Sequence, residues 1–583
     1  MTEKTKIQTT KNINNKIMKN KIILFSKKIL KALKVFISRV LADGGIIEAK
    51  NYVNSVLKTV TDASLVLIPS AYKSGVLYSI LPEDGTGDFT FSRPSGATRV
   101  NSQGLIEEVS LLGDELVTNG TFDTDTDWTE NGTTPYMTIA NGYLNSNNTV
   151  AGNWFAENIS QNIAFVNGKQ YKVSATIRNI SGESSVRITQ GANVIISTAI
   201  TSEWVEYKTI YTANADNNSI RLFVNGSIGQ FEIDNISIVE YSEEGIPRID
   251  YTDGTPVLLT EPQSTNLVID SVIGNLIGVT DFTNKVISPD GLVNATRMKP
   301  DTPTARFQEI VLAGTYATNT ILTYSWYRKR ISTPLITSFI GDLDTEQFNV
   351  NLVINNANEQ IQSDINGFDK FKVTVQIVDG SLESIFRAYF GDIVGVGNLS
   401  IAYFGHQLEQ LPYASSYIPT EGTTATRLAE AVTDGGDVNS INSEEGVLYF
   451  EVASLNTKGS LEPISLTDGT NNNRILFYYS STANRISLSF KVSAAVIFTF
   501  NLIIQDVTEI NKFAFKYKSG DFALWVNGVQ EATDNSVASF PPNTLSNISF
   551  SDQSGNIFEG KVKQIQVYKT ALTDAELIEL TTI

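Results

Sequence analysis

The residue types that carry most enzymatic chemistry are scarce in this 583-residue chain. It has no cysteine and a single histidine, His406, so thiol catalysis and thiolate or multi-histidine zinc sites are excluded. A Ser-His-Asp triad would have to use His406, which we interpret as structural. The 62 acidic residues make some close carboxylate pair inevitable, but no motif singles out a glycosidase pair. Without a phosphate-binding glycine loop, an HExxH or a GxSxG motif, we expect no enzyme activity.

Aromatic side chains beside amides are the remaining candidates for binding chemistry. A sugar ring needs a flat aromatic face for its apolar side, with amides or carboxylates nearby for its hydroxyls. Four aromatic residues lie in loop-like, asparagine-rich stretches: Trp128, Tyr136, Trp154 and Phe155. Loop aromatics are better binding candidates than strand aromatics, and the alternative is that each plugs the end of a sandwich. Trp204 is assigned instead to a core strand.

The formal net charge of -18 is unevenly spread along the chain. Residues 1–41 contain eleven Lys and Arg against one acid, Glu3. The acidic remainder disfavours nucleic acid, because a duplex offers it only phosphate repulsion. The basic start could contact nucleic acid, an anionic membrane or an acidic protein surface.

Helical periodicity is confined to the start of the chain. Apolar residues recur there at three- and four-residue steps, at Ile23, Leu30, Leu33, Ile37 and Val40. The pattern predicts a helix that either forms an oligomerising or docking stalk or packs on its own domain. A second helix is predicted over about residues 46–59. The longest apolar run is about four residues, so we expect neither an export signal nor a membrane span.

From Ser64 onward the sequence is typical of short β-strands joined by turns. Val, Ile, Thr, Tyr and Phe are abundant, and Asn, Gly, Ser and Asp interrupt them at short intervals. The length allows about three to five domains. We predict a mainly β chain of tandem β-sandwich or jelly-roll modules behind a short N-terminal α-helical anchor.

Three strings resemble recurrent segments of tailed-bacteriophage virion proteins, in the order expected there. They are Phe91-Ser92-Arg93…Ala97-Thr98-Arg99-Val100-Asn101, Pro247-Arg248-Ile249-Asp250-Tyr251…Leu258-Leu259-Thr260-Glu261, and Phe404-Gly405-His406-Gln407-Leu408-Glu409…Ala425-Thr426-Arg427. In such proteins the first two strings flank an inserted sandwich. The third resembles the closing strand and exit of a carbohydrate-binding-like module.

Three blocks resemble sandwich modules. Residues 113–243 resemble the galactose-binding-like jelly roll of carbohydrate-binding modules, and residues 268–430 show the same order of segments. Residues 431–583, whose first strand-like string is Gly446-Val447-Leu448-Tyr449-Phe450-Glu451, resemble the concanavalin A-like, laminin-G-like lectin sandwich. In that family Thr573 or Asp574 would cap a short terminal helix. The other segments are assigned as a virion-anchor or oligomerisation segment over 1–65 and β linkers over 66–112 and 244–267.

The resemblance to carbohydrate-binding modules also implies a structural calcium ion (Ca2+). Modules similar to the first jelly roll often hold one with their first and last strands, and the matching positions are Asn119, Asp123 and Asp234. Hard oxygen ligands, which are abundant here, favour calcium. The alternative is that the acidic run from Asp123 to Asp127 is a solvated turn.

Together the resemblances imply a bacteriophage fibre or spike, attached to the capsid or tail through residues 1–65. It would be made in the bacterial host cytoplasm, exposed on the virion surface, and assembled as a homotrimer. Its non-catalytic modules would adhere to host-surface or mucus glycans through weak, multivalent contacts. The alternatives are a polysaccharide-degrading tail spike (depolymerase), a purely structural capsid decoration protein and a bacterial surface adhesin.

Overall fold

The computed structural model describes most of the chain and is mainly β, which confirms the predicted fold class. The described residues are 31–48, 62–131, 137–148, 158–182, 185–215, 219–224, 229–272, 276–277, 285–298, 307–311, 316–330, 352–377, 385–389, 401–457 and 461–583. The chain divides into a smaller compact unit, Ser110–Glu243, and a larger one built from the segments on either side of it.

The described strands are, in chain order, β1 (Ile46–Ile47), β2 (Leu65–Leu67), β3 (Ala71–Lys73), β4 (Val76–Leu77), β5 (Phe89–Ser92), β6 (Thr98–Val100), β7 (Ile106–Glu108), β8 (Leu111–Glu115), β9 (Thr129–Asn131), β10 (Met137–Ala140), β11 (Tyr143–Asn148), β12 (Asn158–Asn162), β13 (Gln170–Gly182), β14 (Ser185–Gln190), β15 (Asn193–Ala199), β16 (Val205–Thr212), β17 (Ser219–Val224), β18 (Gly229–Ser242), β19 (Ile249–Asp250), β20 (Val257–Thr260) and β21 (Ser264–Asn266). They continue with β22 (Leu276–Ile277), β23 (Val286–Ile287), β24 (Val293–Met298), β25 (Phe307–Val311), β26 (Ile321–Arg330), β27 (Leu352–Ile365), β28 (Phe368–Ile377), β29 (Ile385–Tyr389), β30 (Ile401–Glu409), β31 (Ala425–Arg427), β32 (Ala431–Thr433), β33 (Glu445–Ser454), β34 (Glu462–Thr467), β35 (Arg474–Tyr479), β36 (Arg485–Val492), β37 (Ala495–Ile503), β38 (Asn511–Lys518), β39 (Phe522–Val526), β40 (Val529–Asp534), β41 (Asn547–Ser549) and β42 (Gly560–Tyr568).

The smaller unit is a sandwich of two antiparallel sheets. One has the strand order β10-β11-β18-β13-β16, with β8 also paired to β18, and the other has the order β15-β14-β17-β12-β9. Alternate residues of β13, including Tyr171, Val173 and Ile177, are buried between the sheets. Because side chains alternate along a strand, the residues between them lie on the outer face of the first sheet.

Helix α1 occupies residues 31–42 of the larger unit. Its buried residues Leu33, Phe36 and Val40 pack against Val66 and Ile68. The described part of the predicted helix therefore packs on its own domain. Residues 1–30, which include Ile23 and Leu30, lie outside the described residues. No described helix is long and apolar enough to span a bilayer.

The prediction of a second helix is wrong for its first residues. Ile46 and Ile47 form β1, which pairs with β3. Gly44 has a positive φ of 72°, a conformation that ends a right-handed helix. The two β-branched residues after it are better suited to a strand. The rest of the predicted helix, residues 49–61, lies outside the described part of the chain.

We call the described residues 62–109, 244–267 and 425–433 the connector. Its strands form the sheet β1-β3-β4-β5-β32 and the two-stranded sheets β6-β7 and β21-β31. Two further connector strands, β2 and β20, pair side by side with β42 near the end of the sequence. The connector is therefore part of the packed structure of the larger unit.

The second sandwich lies between the second and third connector segments. Its sheets have the strand orders β23-β24-β30-β26-β28-β27 and β22-β25-β29. His406 is completely buried, with its Nδ1 2.7 Å from the hydroxyl of Tyr324. Burial lowers the pKa of His406 to about 4, so the ring is neutral at pH 7. This environment agrees with a structural role.

The lectin-like sandwich contains the sheet β19-β20-β42-β33-β38-β39-β40, with β2 also paired to β42, and the sheet β37-β36-β35-β34-β41. Helix α2 (Asp574–Thr581) follows β42. Thr573 is its N-cap, and the Glu576 carboxylate accepts the Thr573 backbone N–H at 2.8 Å. The predicted cap of a short terminal helix is confirmed as a capping box.

Five charged side chains form a buried ion network in the larger unit: Arg93, Arg248, Glu261, Arg427 and Glu430. Each is at most 3% exposed. Glu430 accepts from Arg93 at 2.7 Å and from Arg248 at 2.8 Å. Glu261 lies 2.7 Å from Arg248 and 2.9 Å from Arg427. Burial alone would raise the pKa of Glu261, but the guanidinium groups of Arg427 and Arg248 hold it well below its usual range.

We expect Glu430→Gln to destabilise the larger unit by about 3–5 kcal/mol, because it removes the carboxylate that pairs with buried Arg93 and one of the two carboxylates that pair with buried Arg248. Denaturant unfolding, compared with wild type, measures the loss. Asp253→Asn is the control, because it removes the exposed ion pair with Lys561 and should cost at most about 1 kcal/mol. Equal losses for the two variants would contradict the prediction.

The carboxyl group of Glu559 should make the larger unit less stable as pH rises. Burial and the negative charge of Glu261 raise the pKa of Glu559 to about 7, from 4.5 for an ordinary glutamate. Between these values the folded state keeps a proton that the unfolded state has lost, so stability falls as pH rises from about 4.5 to 7. Glu559→Gln should therefore stabilise the unit by about 2 kcal/mol at pH 8, after discounting for solvent screening, and little at pH 4.

Unfolding midpoints at pH 4, 6 and 8 test this dependence on Glu559. Glu509→Gln, at an exposed position of the same unit, controls for the loss of one carboxylate. A stability difference between Glu559→Gln and wild type that does not grow with pH would show that Glu559 does not have this effect.

Candidate functional site

Two aromatic side chains pair on the surface of the smaller unit. Tyr143 begins β11, and Trp204 immediately precedes β16. Their ring centroids are 5.3 Å apart, with an angle of 40° between the planes. Both are half-buried and neither belongs to the hydrophobic core of the sandwich. They therefore present aromatic surface to solvent.

Strand register explains why charged groups lie beside this pair. Across the sheet, Asn145 pairs with Glu232, and Glu232 pairs with Arg178. On the other side of β13, Ile177 pairs with Val205, so Arg178 lies level with the residue that precedes β16, Trp204. The register brings one amide, one carboxylate and one guanidinium group into a row that ends at the indole.

Arg178 links the row to the aromatic pair. Its guanidinium carbon lies 4.6 Å from the Trp204 ring centroid, and its Nε donates to Glu232 Oε2 at 2.7 Å. The Arg178 and Glu232 side chains are 33% and 18% exposed, so solvent reaches both. We call Tyr143, Asn145, Arg178, Trp204 and Glu232 the platform.

A tight hairpin sets the position of Tyr143. Ala140 pairs with Tyr143 across the two-residue loop Asn141-Gly142, and both loop residues have positive φ, 60° and 77°. Asn-Gly is a sequence that favours this turn, because both residues tolerate the left-handed region. The Asn145 amide donates to Ala140 O at 2.8 Å and to Tyr143 O at 3.0 Å, which fixes the hairpin end against the platform.

Trp128, a residue predicted to contact ligand, packs against the core of the smaller unit. Its indole N–H donates to Asn119 O at 3.0 Å, and its ring lies 5.4 Å from that of the buried Phe122. It is half-buried against the core of the smaller unit, which is the arrangement of a sandwich plug. The other three predicted aromatics, Tyr136, Trp154 and Phe155, lie outside the described residues. Sugar binding by these four residues stays a prediction.

The proposed calcium ligands make local hydrogen bonds. The Asn119 amide donates to Thr124 O at 2.6 Å, the Asp123 carboxylate accepts from the Thr121 hydroxyl at 2.6 Å, and Asp234 accepts from the following backbone N–H at 2.7 Å. Within the described ranges, no group of three or more acidic or histidine side chains is arranged to hold a metal ion. Calcium binding by Asn119, Asp123 and Asp234 stays a prediction.

The assignment of Trp204 to a core strand is wrong. The strand starts one residue later, at Val205, and Trp204 contacts the outer face of the sheet. The turn-forming residue Ser202, two positions before it, was the signal that it lies at a strand end. The Asn-Gly pair before Tyr143 was the matching signal for that residue, but only the register shows that the two aromatics meet.

Two parts of the chain match known families. Residues 114–229 match a family model described as a carbohydrate binding domain, and residues 448–578 match the concanavalin A-like lectin/glucanases superfamily. The chain therefore contains a carbohydrate-binding module and a concanavalin A-like domain. The carbohydrate-binding match covers four of the five platform residues, and Glu232 lies three residues beyond its end. Both matches agree with the resemblances inferred from the sequence.

Solved structures with partial similarity come from varied sources. The CBM40 module of the Ruminococcus gnavus IT-sialidase, bound to α2,3 sialyllactose, is 19% identical, with 24% of this chain and 84% of that chain covered and a TM-score of 0.22. The SAP-like pentraxin of Limulus polyphemus is 13% identical, with 24% and 70% covered and a TM-score of 0.20. No curated protein matches the sequence.

Proposed function

We propose that this chain is a non-catalytic adhesin that binds glycans through the platform of its smaller unit. The observation that carries the proposal is the half-buried Tyr143–Trp204 pair at the surface, with a carboxylate and a guanidinium group beside it, on a domain that matches a carbohydrate-binding family.

The platform groups suit the two sides of a sugar ring. The apolar face of a pyranose packs on the Trp204 or Tyr143 ring. A ring hydroxyl donates to the Glu232 carboxylate, and another accepts from Arg178, in charge-assisted hydrogen bonds. Because the ion pair and the stacking of Arg178 on Trp204 already fix these groups, little side-chain entropy is lost on binding.

Two features support binding without catalysis. The platform contains one carboxylate, Glu232, which is ion-paired with Arg178, whereas glycoside hydrolysis generally uses two carboxyl groups on opposite sides of the bond. Among the described residues, the platform also lies on the outer face of a sheet, where nothing encloses a bound sugar. Such a surface gives weak single contacts that several copies strengthen by raising the local concentration.

We further propose that the adhesin is a fibre or spike on a bacteriophage virion, assembled as a homotrimer and exposed on the particle. The support is a resemblance in sequence: the three strings that contain Arg93, Arg248, Glu261 and Arg427 resemble recurrent segments of tailed-bacteriophage virion proteins. Since α1 packs on its own domain, the attachment to capsid or tail proteins is assigned to the basic residues 1–30, within the anchor predicted over 1–65.

Trp204→Ala and Tyr143→Ala should each weaken retention on host-surface or mucus glycans at least tenfold, because each removes half of the aromatic surface. Affinity electrophoresis in gels that contain the polysaccharide measures this directly. Val194→Ala, an exposed apolar position on the other sheet, is the matched control. Retention equal to that of the control would refute the platform as the binding site.

Deletion of residues 1–30 should leave a folded protein that no longer sediments with virus particles. The deletion spares Leu33, Phe36 and Val40, so the core around α1 stays intact. Sedimentation of particles assembled with the truncated chain, followed by quantification of the chain in the pellet, measures incorporation. Normal incorporation of the truncated chain would exclude an anchor in this segment.

A further inference from the structure

We infer that the larger unit holds a second site for neutral sugars, in a polar cleft between the second sandwich, the connector and the lectin-like sandwich. The inference shares with the proposed function the class of ligand, but it involves none of the platform residues. The cleft has a volume of about 580 Å³, within the range of pockets that enclose small organic ligands.

The lining groups suit a ligand that carries many hydroxyls. Tyr327 and Tyr413 supply aromatic surface, and Asn456 supplies an amide. The carboxylates of Asp250 and Asp506 also line the cleft. Each already accepts a backbone N–H, from Val100 at 2.9 Å and from Thr508 at 2.8 Å, and each has further lone pairs that can accept from a sugar hydroxyl.

Basic side chains of the lining already have partners in the protein. Lys370 Nζ donates to Ser415 O at 2.8 Å, and Lys561 lies 2.5 Å from Asp253. Arg99 pairs with both Glu48 and Glu107, at 2.6 and 2.8 Å. An anionic ligand would have to compete with these partners, and it would face carboxylates in the same cleft. The arrangement therefore favours a neutral ligand.

One wall of the cleft is the loop 412–417, which is tied to buried carboxylates. The Ser415 N–H donates to Glu409 at 3.0 Å, and the Ser416 N–H donates to Glu261 of the ion network at 2.8 Å. The Ser416 hydroxyl donates to Glu261 as well, at 2.6 Å. These bonds hold the loop in place before any ligand arrives, which reduces the entropy lost on binding.

The hydroxyl of Tyr413 is the strongest sign of a ligand in this wall. It is buried, and it has no hydrogen-bond partner among the described residues. Buried polar groups in folded proteins are nearly always partnered, so we infer that a ligand supplies the partner of this hydroxyl when it binds. Because no bond within the described protein is lost, Tyr413→Phe should leave stability unchanged or slightly increased.

The test uses the full chain and a panel of neutral tetrasaccharides of glucose, galactose, mannose, xylose or N-acetylglucosamine. Isothermal titration gives the number of sugars bound per chain and the affinity of each site. Ala414→Trp fills the cleft, and Val537→Trp adds the same side chain at a position that is 91% exposed. Tyr413→Phe is matched by Tyr479→Phe, which removes another buried hydroxyl without a partner in the described residues and does not line the cleft.

We expect two sugars per wild-type chain, one per Ala414→Trp chain and two per Val537→Trp chain. Tyr413→Phe should weaken one of the two sites at least threefold, and Tyr479→Phe should weaken neither. The inference is overturned if Ala414→Trp binds as many sugars as Val537→Trp, or if no tetrasaccharide binds. Loss of a site in Ala414→Trp but not in Trp204→Ala would support the cleft and count against the platform.

Discussion

The larger unit depends on the buried ion network. Five ionised groups removed from water carry a large desolvation cost, and only a complete set of partners offsets it. Arg93 and Glu430 are 337 positions apart in sequence, and Arg248 touches both acids of the network. The network therefore stabilises one arrangement of the three connector segments and penalises any arrangement that leaves a charge unpaired. The same Glu261 that pairs with two arginines also fixes the loop 412–417.

The class of the fold was predictable because strand alternation and turn residues are local signals. The capping box of α2 was predictable for the same reason, since its two partners are three residues apart. The structural role of the three strings that contain Arg93, Arg248 and Arg427 was not predictable. Each contributes at least one arginine to the network, yet nothing near Arg93 indicates a partner at Glu430, because no local periodicity encodes a contact across hundreds of residues.

The candidate site also combines features that local sequence predicts with features that depend on long-range strand pairing. Four aromatics could be selected because loops and asparagines surround them, and the one that the structure describes, Trp128, packs against the core of its sandwich. The platform depends instead on the register of four strands, β11, β18, β13 and β16. A shift of one residue in any of these pairings would turn at least one platform residue to the other face of the sheet, and sequence alone does not fix the register.

The pairing of β2 and β20 with β42 has a consequence for synthesis on the ribosome. Leu65 pairs with Val567, about 500 positions later, so the first strands emerge long before the strand that covers their edges. Until then their backbone amides are open to other chains, as in any unpaired sheet edge. The smaller unit pairs its strands within 110–243 and can fold while the rest is still being made. We therefore expect the protein to be most prone to aggregation, and most dependent on chaperones, while the larger unit is still incompletely synthesised.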